Sequence, residues 1–554
     1  MSRLHNLPAW LVPLTGAALL VSAFQVPADA PTSPDSLLSA ATGPALAAAV
    51  GPRPGGLPDP PDPPGTILLA EPGSPFVAFN IWIRAGSQND PEGKEGLAAL
   101  TAALLSDGST THDPYQAIVE KLYPMAAGYG ASVDKEMTVF TGTVHIDNLE
   151  RYYELFRNAL LSPAFDEADF DRVKQQTLNF LERGRRYNRD EELSRELLYW
   201  MAYRGTPYEH PEEGFVRSVR AITLDDVRAF YDDFYVRNNL VVGVGGGFPV
   251  GFGERVRADF DTRPAGEVPV LPAPDPVRPD RVKILIVEKE TDATAISMGF
   301  PTDLYRGHPD FWAMKLVNSW FGEHRSSFSH LYQVIRERRG MNYGDYSYIE
   351  PFPNAFATQN RPVNASRRSN LFEIWIRPIA LTEPGNLHPR TLFATRAALR
   401  ELDRLVERGL PEDQIERTRR FLNDFSLNYG STVARRLAYR VDDAFFGLGA
   451  DGSGSGEGGY LTSIRPGLAA LDKAAVDTAI RRHLASEGLY LVFITADAQA
   501  LKALLLSGEE TRIDYAGEQP AEVLAEDDEI AAWPIPVVAD DIVVLQISEV
   551  FEGR

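Results

Sequence analysis

The sequence predicts an α+β protein made of two homologous sheet-plus-helix domains. Two observations carry that expectation. Strand patterns are grouped among long helical ones instead of alternating with them, and the second half of the chain repeats the order of the first. With 554 residues the chain is too long for one core, so division into domains is expected on size alone. A hydrophobic content of 44% beside 24% charged residues suits well-packed bodies.

The repeat shows in the spacing. Ala221-Ile222-Thr223 opens a helix carrying Val227, Phe230, Phe234 and Tyr235, followed by the strand Leu240-Val241-Val242-Gly243-Val244. Ala470-Leu471-Asp472 opens a helix with Val476, Ala479, His483 and Leu484, followed by a strand from Leu489 to Ile494. Thr223 and Asp472 stand in matching places, and each has a side-chain oxygen that can accept from a free first-turn amide. At a nearly equal offset, Phe165-Asp166-Glu167 through Phe170 and Arg172 pairs with Leu410-Pro411-Glu412 through Ile415 and Arg417.

Within the first copy, Val77, Phe79, Ile81 and Ile83 alternate with Ala78, Asn80, Trp82 and Arg84, the period of a strand with one buried face. A Gly-Ser turn and an Asp-Pro-Glu-Gly loop lead to a helix starting Gly96-Leu97-Ala98. Ala131-Ser132-Val133 and Thr138 to Val144 read as a hairpin, followed by a helix from Asn148 to Leu161. Helices are expected on one face of each sheet.

Composition then sets the boundaries. Residues 1–30 read as an export signal, with Arg3 ahead of an apolar run and Ala28-Asp29-Ala30 as the cleavage site. An uncleaved membrane anchor is the alternative. Residues 31–65 form a Pro/Gly-rich linker, 66–262 the first domain, 263–281 a second linker, 282–508 the second domain and 509–554 an acidic tail. In that tail only Ile542-Val543-Val544-Leu545 reads as a strand, at a sheet edge. The net charge of −22 argues against nucleic acid and anionic membranes as partners. The chain has no cysteine, which excludes disulfides and thiol chemistry and fits an exported, periplasmic protein.

The strand, Gly-Ser turn, Asp-Pro-Glu-Gly loop and Gly-Leu-Ala helix start resemble the pitrilysin/insulinase family, which includes the mitochondrial processing peptidases. The resemblance implies two homologous domains facing each other across a chamber. In active members the helix reads Gly-Leu-Ala-His-x-x-Glu-His. Its two His bind zinc one helical turn apart, and the Glu between them is the general base. Here those five positions are Ala99, Leu100, Thr101, Ala102 and Ala103, none of which holds a metal or moves a proton. The family's third ligand, a Glu after a Pro-x-Phe segment, falls at Asn179 or Phe180, with Glu182 one turn away. No zinc site is expected on this chain.

The second half retains more. Ile335-Arg336-Glu337 through Gly340-Met341-Asn342-Tyr343 resembles the family segment whose Arg and Tyr hold an extended peptide near the zinc of the facing domain. Carried over by position, these substrate-binding residues are Arg336 and Tyr343. A guanidinium donates to peptide carbonyls, and a phenol hydroxyl stabilises a developing oxyanion. The structural alternative is that Arg336 pairs with a neighbouring carboxylate and Tyr343 caps a core. An emptied zinc helix beside a retained Arg/Tyr pair resembles the non-catalytic subunit of a heterodimer, with zinc in a paralogous partner chain. The alternative is a scaffold of the same fold.

His324 and His330 are expected as surface or capping residues, and the other His are scattered, with no His-x3-His or His-x-x-Glu-His. His210 reads as structural. Gly243-Val244-Gly245-Gly246-Gly247 lacks the spacing of a phosphate loop, and no Gly-x-Ser-x-Gly elbow is present.

Overall fold

The computed structural model describes residues 65–352, 363–380, 385–448 and 459–553. The expected signal, residues 31–64 of the first linker and the Gly-rich stretch of residues 451–458 lie outside them.

The first half runs β1 (Thr66–Ala70), β2 (Phe76–Ile83), α1 (Leu97–Asp107), α2 (Tyr115–Leu122), β3 (Gly128–Val133) and β4 (Thr138–His145). It continues with α3 (Leu149–Leu161), α4 (Glu167–Asn179), α5 (Asp190–Ala202), α6 (Val216–Ala221), α7 (Leu224–Phe234), β5 (Leu240–Gly246) and α8 (Phe252–Phe260). The second half runs β6 (Lys283–Glu288), β7 (Ala293–Thr302), α9 (Phe311–Gly322), β8 (Asp345–Tyr348) and β9 (Asn370–Ala380). Then follow α10 (Leu387–Arg408), α11 (Glu412–Phe425), α12 (Val433–Phe445), α13 (Tyr460–Ala469), α14 (Lys473–His483), β10 (Tyr490–Thr495), α15 (Ala498–Ser507), α16 (Ala521–Ala531) and β11 (Ile542–Gln546).

The two sheets have one topology. The first is ordered β1-β5-β2-β4-β3 and the second β6-β10-β7-β9-β8, with β11 added beside β6. In each, the first strand pairs parallel to the last strand of the repeat, and the remaining ladders of the repeat are antiparallel. Thr223 and Asp472 cap α7 and α14, accepting from the amides of Asp226 and Ala475.

One face of each sheet is covered by helices of its own half, as the periodicity predicts. The other face is covered by a helix from the opposite half, which periodicity does not show. Helix α12 lies on β1, β2 and β5, where Val433, Leu437, Val441 and Phe445 meet Ile67, Ala78, Trp82 and Val241. Helix α5 lies on β7, β9 and β10 and buries Leu193, Leu197 and Leu198 against Leu285, Ala295 and Val492. The expectation of one covered face is therefore corrected to two. β2 is buried along nearly its whole length, including the Ala78 and Trp82 side.

The glycine run of β5 is explained by this packing. A Cβ at Gly243 would stand 2.7 Å from Val441 Cγ2 and 2.7 Å from the Asn80 carbonyl. Small residues here let α12 approach the sheet.

The acidic tail is a working part of the second half. Arg400 pairs with Glu526 and Glu529, and Arg339 pairs with Glu526 and Asp527, fixing α16 on α10. Strand β11 pairs with β6 at the sheet edge. Beyond it, Phe551 joins the α5 core, and its carbonyl accepts from the Val216 amide at 3.0 Å. Among the described residues, no helix is long and apolar enough to cross a membrane.

Candidate functional site

Helix α1 forms because Leu97 to Leu105 are strong helix formers and because its start is held from upstream. The Asp90 carboxylate accepts from the amides of Gly96 and Ala98, both at 2.7 Å. Burial pushes that carboxyl well above its ordinary range, although the two amides oppose the shift. Gly96 has φ +99°, and a Cβ there would stand 2.5 Å from the Glu213 carbonyl. The scaffold for a chemically active helix is intact.

Its chemistry is absent. Ala99 and Ala103 lie one turn apart on a partly exposed stripe, with Ala102 buried beside them. The helix packs on β3, α4 and α7. Asn179, the last residue of α4, is exposed, and its amide oxygen accepts from Gln175 at 3.2 Å. Phe180 opens a π-helical turn, Phe180–Arg185. Glu182 in that turn pairs with Arg220 of α6. Among the described residues, no group of three His, Asp or Glu ligand atoms gathers on α1 or α4. These residues do not fit a zinc ion.

Arg336 and Tyr343, apart in sequence, are brought together. Arg336 sits in a second π-helical turn, Tyr332–Glu337, with its guanidinium 5.1 Å from the Tyr343 ring centroid and 5.4 Å from that of Tyr332. Its Nη1 donates to the Asn342 carbonyl at 2.8 Å. Asn342 locks the turn by donating to Asp345 at 2.7 Å and to the Arg377 carbonyl at 3.1 Å. Burial raises the Asp345 carboxyl well above its usual range. The Tyr343 side of this stack faces solvent, with the residue 74% exposed.

A cavity of about 360 Å³ opens between the halves, walled by the end of β3, by α5 and by Phe352, Val363 and Asn364 of the second half. Its lining is charged, unlike an apolar small-molecule pocket. Lys135 Nζ donates to Glu212 at 2.9 Å, while Arg195 reaches across to Glu373 and to the Phe352 carbonyl at 3.0 Å. Burial raises the Asp134 carboxyl, which accepts from Ser366 Oγ of the second half at 2.7 Å. Burial likewise pushes Glu196 up to about 7, against the pull of Arg185. Arg336 and Tyr343 are not among the cavity-lining residues.

The family profile described as insulinase, peptidase family M16, matches residues 66–214. A second, described as the peptidase M16 inactive domain, matches residues 221–422. The chain belongs to peptidase family M16. Similar M16-like proteins are named as proteases. An uncharacterised zinc protease of Streptomyces coelicolor is 24% identical over 363 residues, covering 64% of this chain and 73% of that protein. The uncharacterised zinc protease YmxG of Bacillus subtilis is 23% identical over 290 residues, covering 52% and 68%. The β subunit of the mitochondrial processing peptidase of Dictyostelium discoideum is 19% identical over 170 residues, covering 31% and 36%. Among solved structures, the M16 inactive domain from Pseudomonas fluorescens superposes with a TM-score of 0.64 at 21% identity, over 78% of this chain and 95% of that one. A chain of complex III2 from Candida albicans gives 0.58 at 13%, over 78% and 93%. These likenesses show the M16 fold.

Sequence reading missed Asp134, Lys135, Glu196 and Glu212; Asp134 meets Ser366 and Lys135 meets Glu212 from distant parts of the chain. It also misplaced two histidines. His324 is buried among Tyr346, Phe352 and Trp375, with Nδ1 2.7 Å from the Tyr348 hydroxyl. His330 stacks on Trp320 with ring centroids 4.4 Å apart and bonds Glu401. An imidazole surrounded by aromatic rings packs as a flat side chain, so neither is a surface cap.

Proposed function

We propose that this chain is the non-catalytic, peptide-binding subunit of an exported M16 zinc peptidase, acting with a zinc-bearing paralogue. The observation that carries the reading is the stripe of Ala99, Ala102 and Ala103 on an otherwise complete α1. The helix, its Asp90 support and its neighbours remain, while Ala99, Ala102 and Ala103 offer no group that would hold zinc or move a proton. The stacked pair of Arg336 and Tyr343 supports a role in holding peptide. A partner would supply the metal-bound water, and this chain would present donors to peptide carbonyls. Strand addition at the β3 edge suits an extended substrate read mainly through its backbone. The relatives' names, zinc protease and processing-peptidase subunit, agree with a place beside a zinc enzyme.

Export rests on the signal pattern of residues 1–30 and on the absence of cysteine. A second reading, a scaffold without any role in proteolysis, is favoured by the fold match to a complex III2 chain. Co-expression with a relative carrying His-x-x-Glu-His separates the two. Co-purification as a one-to-one complex that cleaves an extended peptide supports the subunit reading. A complex that forms but does not accelerate cleavage over the partner alone supports the scaffold.

A further inference from the structure

We propose that Asp303, His308 and His483 form a binding site for a divalent transition-metal ion of the zinc or cobalt type, within the second half and separate from α1. Asp303 directly follows β7, His308 lies in the turn before α9, and His483 is the last residue of α14. One ligand atom from each converges so that all lie within 4.8 Å of one another.

The geometry is close to that of a metal site. His483 Nδ1 stands 3.3 Å from Asp303 Oδ1. Two ligands of a tetrahedral ion, each about 2.0–2.2 Å from the metal, are roughly 3.4 Å apart. The His308 ring meets His483 edge-on, with centroids 5.0 Å apart. In this arrangement His308 Nδ1 accepts from the Asp310 amide at 3.0 Å, which anchors the ring in the turn before α9.

His483 is oriented as ligating histidines are. Its side chain is 3% exposed, and Nε2 lies 2.9 Å from Asp310 Oδ2. Both ring nitrogens face carboxylates, Nδ1 toward Asp303 and Nε2 toward Asp310. An ion replacing the Nδ1 proton would leave Nε2–H donating to Asp310, the outer-carboxylate arrangement that fixes tautomer and raises ligand basicity. Arg482 also binds Asp310, at 2.5 Å, which keeps that carboxylate in its outer role. Asp303 is 44% exposed, so the ion and a completing water have a route from solvent. Two imidazoles and one carboxylate favour zinc or cobalt over calcium or magnesium.

The test uses the full chain, stripped with a chelator and dialysed against cobalt(II) or zinc, beside His308→Ala, Asp303→Asn and Asp310→Asn. The wild type is expected to take up one ion per chain, to show the visible absorption of tetrahedral cobalt(II) and to melt at a higher temperature with metal. His308→Ala and Asp303→Asn should lose the cobalt band while melting like the wild type without metal. Asp310→Asn should bind about 10- to 100-fold more weakly. Absence of a cobalt band in the wild type overturns the site, as does equal uptake by the wild type and both ligand variants. The partly exposed Asp303 leaves Asp303→Asn a fair comparison should His308→Ala fail to fold.

Discussion

Trp82 of β2 and Phe445 of α12 pack with ring centroids 4.7 Å apart and planes tilted by 57°, one from each half of the chain. Trp82 Nε1 donates to Asn80 at 2.8 Å, and Asn80 in turn donates to Asn364 of the second half at 3.2 Å. With α5 packed reciprocally on the second sheet, each half lends the other a helix. Neither sheet would keep both faces covered alone, so the halves are expected to unfold together. Phe445→Ala should destabilise the chain by about 3–5 kcal/mol and keep a single transition in denaturant. Two separated transitions in the wild type would show that the exchange does not couple the halves.

The close approach of α12 to β5 makes Gly243 intolerant of a side chain. Gly243→Ala places a methyl against Val441 and the Asn80 carbonyl. A loss of about 1–3 kcal/mol is expected from such overpacking, read as a lower denaturation midpoint. Wild-type stability in this variant would mean that the helix can shift freely.

The tail is expected to be acid-sensitive. Burial raises the Glu526 carboxyl, but hydrogen bonds and charge from Arg339 and Arg400 outweigh it and hold it at about 2. A depressed carboxylate contributes stability above its unfolded value of about 4.3 and loses it as pH falls toward 2. Amides of α16, compared with the intrinsic exchange rate at each pH, should therefore lose protection progressively below about pH 4.3, and Glu526→Gln should reduce that loss. Protection of α16 that stays constant from about pH 6 to about pH 3 in the wild type would contradict the ion-pairing of Glu526 with Arg339 and Arg400.

The Arg336–Tyr343 pair is expected to act in binding more than in stability, since Tyr343 is largely exposed. In an active complex with a zinc-bearing relative, Arg336→Ala should reduce kcat/KM by roughly ten-fold or more, the worth of about 1.5–3 kcal/mol for a charge-assisted hydrogen bond. Tyr343→Phe should lower kcat/KM with little change in melting temperature. Unchanged cleavage in both variants would assign the pair a structural role.

What could be read from the sequence was what is local. Thr223 and Asp472 announced their helices because capping needs only a side-chain oxygen and the next three amides. The emptied stripe of Ala99, Ala102 and Ala103 was visible for the same reason, one helix being one window of sequence. The exchange of α5 and α12 was not, because an apolar stripe does not say which sheet it will cover. The contacts of Asp134 with Ser366 and of His308 with His483 join distant segments, and no periodicity encodes them. The tail looked loosely patterned because its order comes from Arg339 and Arg400, far upstream.

We propose that this chain handles peptide without cutting it. The most direct test compares hydrolysis of an extended peptide by the isolated chain, by a His-x-x-Glu-His relative alone and by the two together. The expected result is no turnover by the isolated chain and a chelator-sensitive rate for the mixture well above that of the relative alone. Chelator-sensitive cleavage by the isolated chain would contradict the account.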